Sequence, residues 1–114
     1  MERLFVYGTL QPGGPNEHVL NDIGGDWSPA VITGRLLEAG WGAGMGYPGL
    51  VLDPSGDTVP GHVFSSDRLI DHWGELDEFE GSEYQRTLTL VRLHDAEEVE
   101  AYVYVLRHPP VPKQ

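Results

Sequence analysis

No cysteine occurs anywhere in the chain. That excludes disulfides, thiol nucleophiles and zinc–thiolate centres, and it leaves the redox compartment unmarked. Positive charge is also scarce. Seven Lys and Arg face 18 Asp and Glu, for a net charge of −11. Such a surface repels nucleic acid and anionic membranes, so neither is an expected partner. An anionic ligand would need local compensation from Arg or from converging backbone N–H groups. No apolar run approaches the ~20 residues that span a bilayer. Met1-Glu2-Arg3 leads straight into a strand pattern, without the basic start and apolar stretch of a signal peptide. A cytoplasmic location is the expectation. Metal-site spacing is missing too. His18, His62, His72, His94 and His108 are scattered, with no His-x-Glu or His-x-x-x-His pattern. No metal and no organic cofactor are expected.

What is present points to one small domain. The 114 residues suffice for a single modest core. Fifteen Gly and nine Pro favour many turns and short strands over a helical bundle. Strand patterns occur at residues 3–7, 30–37, 50–52, 59–64, 84–93 and 99–106. Asp53-Pro54-Ser55-Gly56-Asp57 is a hairpin signal between the third and fourth. Asn16 is placed to cap a short helix through Leu20, and residues 67–80 read as the main helix, capped by Ser65 or Ser66. In the fifth strand Leu88 and Leu90 share one face, and Thr87 and Thr89 the other. Strand–turn–strand runs dominate, with the main helix inserted between strands. That predicts α+β architecture with a small, mixed, mostly antiparallel, barrel-like sheet and flanking helices. The domain is expected to span residues 1–107, followed by a proline-rich tail at 108–114.

One acid stands out. The apolar stripe of the main helix runs Leu69, Trp73, Leu76, and the next position on it is Glu80. At ~100° per residue, Glu80 lies only ~10–15° from the mean direction of the stripe. Asp71, Glu75 and Glu78 point well away. A carboxylate heading an apolar face is costly to bury unless paired or neutralised. Desolvation would raise its pKa toward neutrality, as a general base or acid requires. Fraying of the helix at Phe79, with Glu80 left in solvent before Gly81, is the alternative.

A second signal follows the first strand. Gly8 and the loop through Pro15 could let successive N–H groups converge on an anion. An ordinary strand-to-helix turn would use the same residues. Tyr7-Gly8-Thr9-Leu10 after the first strand, Leu76-Asp77-Glu78-Phe79-Glu80-Gly81 at a helix end and Tyr84-Gln85-Arg86 opening a strand form a constellation in order. With Gly49-Leu50, the strand Val59-Pro60-Gly61-His62-Val63-Phe64 and the strand Ala101-Tyr102-Val103-Tyr104-Val105, it resembles the gamma-glutamylcyclotransferase-like superfamily, which includes gamma-glutamylamine cyclotransferases. The resemblance covers residues 3–106.

The resemblance implies a barrel-like fold, a substrate-binding loop at Tyr7, Gly8, Thr9 and Leu10, and a catalytic glutamate at Glu80. It implies a small-molecule substrate whose gamma-glutamyl group is cut from an amine by intramolecular cyclisation, releasing 5-oxoproline. Tyr47, Tyr84 and Tyr104 are the candidate pocket-lining residues. Tyr7 either lines the pocket through its hydroxyl or packs beneath the loop. Tyr102 and Tyr104 are expected to pack in the core, with one hydroxyl reaching the pocket as the alternative, and Arg86 to pair with an acid or brace the Glu80 segment. The glycine-rich segment Gly40 to Gly49 is a lid bearing Trp41 and Tyr47, or a plain connector. No Tyr follows Tyr104, so a C-terminal Tyr contact found in some relatives is lost or replaced, which puts specificity in doubt. Two alternatives stay open: a non-catalytic ligand-binding domain on the same fold, and gamma-glutamyl deprotection of a carrier-bound metabolite. The leaving amine and the oligomeric state are not legible.

Overall fold

A computed structural model describes residues 2–8, 10–37, 49–81 and 84–107. Strands β1 (Glu2–Val6), β2 (Asp26–Leu37), β3 (Gly49–Leu52), β4 (Asp57–Ser66), β5 (Tyr84–Leu93) and β6 (Glu98–Leu106) form one sheet in the order β3-β2-β4-β1-β6-β5. Pairing of Ala30 and Val31 with Leu93 and Arg92 joins β2 to β5 and closes a five-stranded barrel, with β3 as the extra strand on β2. Only β1 and β6 run parallel; the remaining pairs are antiparallel. The helices are α1 (His18–Asn21) and α2 (Trp73–Glu80). Among the described residues no helix is long and apolar enough to cross a membrane. The proline-rich tail, Trp41 and Tyr47 lie outside the described residues.

Side-chain alternation divides the core in two. Phe5, Val63, Val91, Ala101, Val103 and Val105 point inward and fill the barrel with Ile32, Val59 and Leu50. Leu4, Val6, Phe64 and Tyr104 point outward and are covered by Leu10, Leu20, Ile23, Leu69, Trp73 and Leu76. β1 is therefore buried on both faces, which is why it reads as an unbroken apolar run. In β5 the two faces divide as the sequence alternation does, with the leucine face outward. Leu88 and Leu90 are exposed, while Thr87 and Thr89 sit opposite the inward-facing Val103 and Ala101.

Several expected boundaries shift by one or two residues, and two change further. β2 begins at Asp26 rather than Ala30, running through Pro29. Pro29 cannot donate, but its carbonyl accepts the His94 N–H at 3.2 Å, so the strand continues. The expected helix over 67–80 is split. Asp71 and His72 make i→i−3 bonds in a 3-10 turn at Leu69–Asp71, and α2 itself begins at Trp73. Ser66 is a strand residue whose Oγ accepts the Arg68 N–H at 3.1 Å and donates to the Gly24 carbonyl at 2.6 Å. It starts the turn and does not cap α2. The apolar stripe survives the split, because Leu69, Trp73 and Leu76 are all buried.

Candidate active site

α2 ends on Glu80 because Gly81 ends it. Gly81 has φ 88° and ψ 175°, a conformation that is almost exclusively glycine's, and its N–H still closes on the Asp77 carbonyl at 3.0 Å. The last turn is thus intact rather than frayed, and Glu80 is half-buried at its end. Desolvation by burial raises its pKa from the ordinary carboxylate value to about 7. Such a group exchanges protons at neutral pH.

The end of α2 is fastened to the barrel by Asp77. Its Oδ1 accepts a hydrogen bond from the Tyr104 hydroxyl at 2.6 Å and lies 3.6 Å from Arg86 Nε. Arg86 is held in turn by aromatic faces, its guanidinium carbon 4.3 Å from the Trp73 ring centroid and 5.4 Å from that of Tyr102. Burial pushes the Tyr104 hydroxyl well above its usual range. The Asp77 carboxylate pushes it further, Arg86 opposes, and Glu80 adds a smaller upward push. Beside this junction an open cleft of about 770 Å³ is lined by Asp77, Glu78, Gly81, Tyr84, Gln85, Arg86, Tyr104 and Arg107.

Tyr7 sits directly after β1 and uses its hydroxyl twice. It donates to the Tyr104 carbonyl at 2.7 Å and accepts the Leu50 N–H at 3.1 Å. The hydroxyl thereby ties β1 to β6 and β3. Its pKa is raised well above the ordinary phenol value, chiefly by burial. The Leu50 N–H opposes this, and the nearby Glu80 and Tyr84 add to it. Glu80, Tyr7, Tyr84 and Tyr104 therefore share one neighbourhood. Gly8 follows, its carbonyl accepting both the backbone N–H and the side-chain Nε2 of Gln11 at 3.3 Å.

Of the sequence-expected residues, Tyr7, Glu80, Tyr84 and Tyr104 thus come together, from the end of β1, the end of α2 and the paired ends of β5 and β6. Tyr84, at the start of β5, pairs with Leu106 and lines the cleft. Leu10 is buried in the outer core layer, so its side chain serves packing and only its backbone could serve a ligand. Thr9 and Tyr47 lie outside the described residues, as does most of the glycine-rich segment. Arg86 pairs with an acid as expected, and the acid is Asp77. In the sequence Asp77 stands out only as part of the Leu76-to-Gly81 motif. The missed signal was its position three residues before Glu80, ~60° round the helix, where it can reach a Tyr on the outer face of β6. Gln11 and His62 were also missed. Among the described residues no group of three acidic or histidine side chains converges in a way that could hold a metal.

Comparison with known proteins agrees with this fold. The profile of the family described as "Gamma-glutamyl cyclotransferase, AIG2-like" matches residues 4–114. A Homo sapiens protein named gamma-glutamylaminecyclotransferase is 34% identical over 106 residues, covering 82% of this chain. The chain spans 63% of that relative's length. The crystal structure of an AIG2-like protein from Mus musculus superposes with a TM-score of 0.72 at 29% identity, covering 96% of this chain and 80% of that one. A solution structure from Arabidopsis thaliana gives a TM-score of 0.69 at 31% identity, covering 92% of this chain and 61% of that one.

Proposed function

The chain belongs to the AIG2-like gamma-glutamyl cyclotransferase family, and on that footing we propose that it cleaves a gamma-glutamyl amide, releasing 5-oxoproline and a free amine, with Glu80 as the acid/base. The observation that carries the reading is a half-buried carboxylate with its pKa at about 7, within electrostatic reach of Tyr7, the residue that precedes Gly8.

The reaction asks for little machinery. The substrate's own alpha-amine attacks its gamma-carbonyl carbon, forming the ring C–N bond, and the bond from that carbon to the leaving nitrogen breaks. The amine arrives as an ammonium and must lose a proton first. Glu80 takes that proton and passes it to the departing nitrogen. It then takes the second proton from the newly formed ring nitrogen and passes it to the same amine, which leaves as an ammonium, so the enzyme ends as it began. A carboxylate near neutrality suits both halves. Holding the glutamyl chain curled supplies much of the rate, since orientation alone can be worth up to roughly 7–11 kcal/mol. Backbone N–H groups of the Gly8 loop are the proposed grip on the alpha-carboxylate or the developing oxyanion. No step requires a metal or organic cofactor. The name of the human relative makes gamma-glutamylamines the first substrates to try.

The test is 5-oxoproline release from a panel of gamma-glutamyl dipeptides and gamma-glutamylamines, with wild type beside Glu80→Gln. Release by wild type, reduced about 100-fold or more in the variant, is the expected result. Silence of the wild type across the panel overturns the reading. Substantial turnover by the variant removes Glu80 from the mechanism.

A further inference from the structure

We propose that Gln11 and His62 are positioning residues that clamp the Gly8 carbonyl and thereby hold the substrate-gripping loop in its working shape, an inference that rests on the reading of that loop given above.

The Gln11 side chain bridges two fixed partners. Nε2 is 3.3 Å from the Gly8 carbonyl oxygen, and Oε1 is 2.9 Å from His62 Nδ1. The polarity of this chain follows from its end. A carbonyl can only accept, so the amide NH₂ must face Gly8 and the amide oxygen must face His62. His62 Nδ1 therefore carries a hydrogen and donates. The Gly8 oxygen also receives the Gln11 backbone N–H at 3.3 Å. Both bonds to Gly8 are at the long end for N–H···O, so each is weak alone, and the carbonyl is held by the pair. A peptide link is planar, so fixing its oxygen fixes the plane of the link leaving Gly8.

The far end of the clamp is rigid. His62 lies on β4, paired with Val6 of β1 and Pro29 of β2. The Trp27 ring stands edge-on to its imidazole at 6.2 Å and packs on Phe64 at 4.9 Å. Trp27 is itself held, its indole N–H donating to Asn21 Oδ1 at 3.0 Å. Loop geometry is thus referred to the barrel wall through one amide. Backbone donors serve binding only when they are aimed before the ligand arrives. The clamp does not touch the reacting atoms, so its loss should appear in substrate affinity and leave the chemical step largely intact.

Four variants test this. Gln11→Glu keeps the shape but turns a carboxylate oxygen toward the Gly8 oxygen. Gln11→Met keeps the bulk and loses both bonds. His62→Leu removes the donor, whereas His62→Asn offers an amide N–H near the place of Nδ1. The readouts are kcat and KM for 5-oxoproline release, thermal midpoints, and hydrogen exchange of the Gln11 backbone N–H followed by NMR. Gln11→Glu should raise KM about tenfold with kcat within about threefold, since it both loses the bond to Gly8 and sets a carboxylate oxygen against the carbonyl oxygen, a combined penalty of ~1.4 kcal/mol. Gln11→Met and His62→Leu should raise KM by a smaller factor, and His62→Asn should restore it to within about twofold. Gln11 N–H exchange should quicken in Gln11→Glu and His62→Leu and return to the wild-type rate in His62→Asn. A His62→Asn variant as impaired as His62→Leu, or a Gln11→Glu variant with wild-type KM and exchange, overturns the proposal. Were the wild type itself silent on every gamma-glutamyl compound, the cyclotransferase reading would fail separately. The exchange rates would then decide whether the clamp exists, and unchanged protection in Gln11→Glu would reject it.

Discussion

Tyr104 donates its hydroxyl to Asp77 at 2.6 Å while its backbone carbonyl accepts the hydroxyl of Tyr7 at 2.7 Å. One residue of β6 thus fastens both the last turn of α2 and the start of the Gly8 loop. The acid and the loop have no direct bond in the described structure; their relative position is set through this shared strand.

Tyr104→Phe cuts one of those two fastenings and leaves the other, because the carbonyl remains. A hydrogen bond to a charged acceptor contributes ~1.5–3 kcal/mol when well shielded. Asp77 is partly exposed, with a side-chain accessibility of 46%, so the lower part of that range applies. We expect a loss of about 1–2 kcal/mol in urea denaturation and a several-fold fall in kcat as Glu80 loosens. A variant as stable and as active as wild type would show that Arg86 alone holds Asp77.

Tyr7→Phe separates a structural tyrosine from a chemical one. The hydroxyl accepts the N–H of Leu50, a fully buried residue, and donates to Tyr104. Its removal strands both backbone groups, at about 1–3 kcal/mol for a buried unsatisfied donor. Stability should fall by that amount and activity should fall partially. Activity abolished at unchanged stability would instead place the hydroxyl in the reaction.

Gly81→Ala tests the terminus that aims Glu80. A Cβ there would meet nothing within 4 Å, so any cost is conformational. With φ 88° and ψ 175° the expected cost is about 1–3 kcal/mol, read as a lowered denaturation midpoint. Gly81→Asn should fare no better, since asparagine's tolerance is for the left-handed helical region and not for this one. Equal stability of glycine and alanine would mean that the terminus relaxes freely.

How far these features could be read in advance depended on which atoms carry them. Glu80 was legible because its direction follows from local helical geometry, and the stripe of Leu69, Trp73 and Leu76 persisted through a change of helix type. The strands β5 and β6 were legible from their residue pattern. Barrel closure was not, since the pairing of Ala30 with Leu93 joins strands far apart in the chain. The ties of Tyr7 were hidden for another reason. Their partners are backbone groups of Tyr104 and Leu50, and every residue presents those. Gln11 and His62 stayed hidden because they meet across 51 positions through a contact that no spacing rule encodes.

Glu80 makes a prediction in which stability and activity move in opposite directions. Burial raises its pKa from 4.5 to about 7, so the folded protein binds a proton more tightly than the unfolded chain. Between those two values the native state holds more protons, and stability must fall as pH rises. The contribution is fully present below pH ~4.5 and gone above pH ~7.5, amounting to up to about 3 kcal/mol. Activity runs the other way, because only the ionised carboxylate can accept the ammonium proton. The log of kcat/KM should climb with pH and level off near pH 7. Glu80→Gln has no proton to exchange. At pH 8 it should be more stable than wild type, by an amount that shrinks toward pH 5, while releasing almost no 5-oxoproline. Urea denaturation of both proteins at pH 5, 6.5 and 8 measures the difference directly. Parallel stability curves across that range would mean that Glu80 is solvated and ionised throughout, and a carboxylate of that kind would be too weak a base for the role assigned to it.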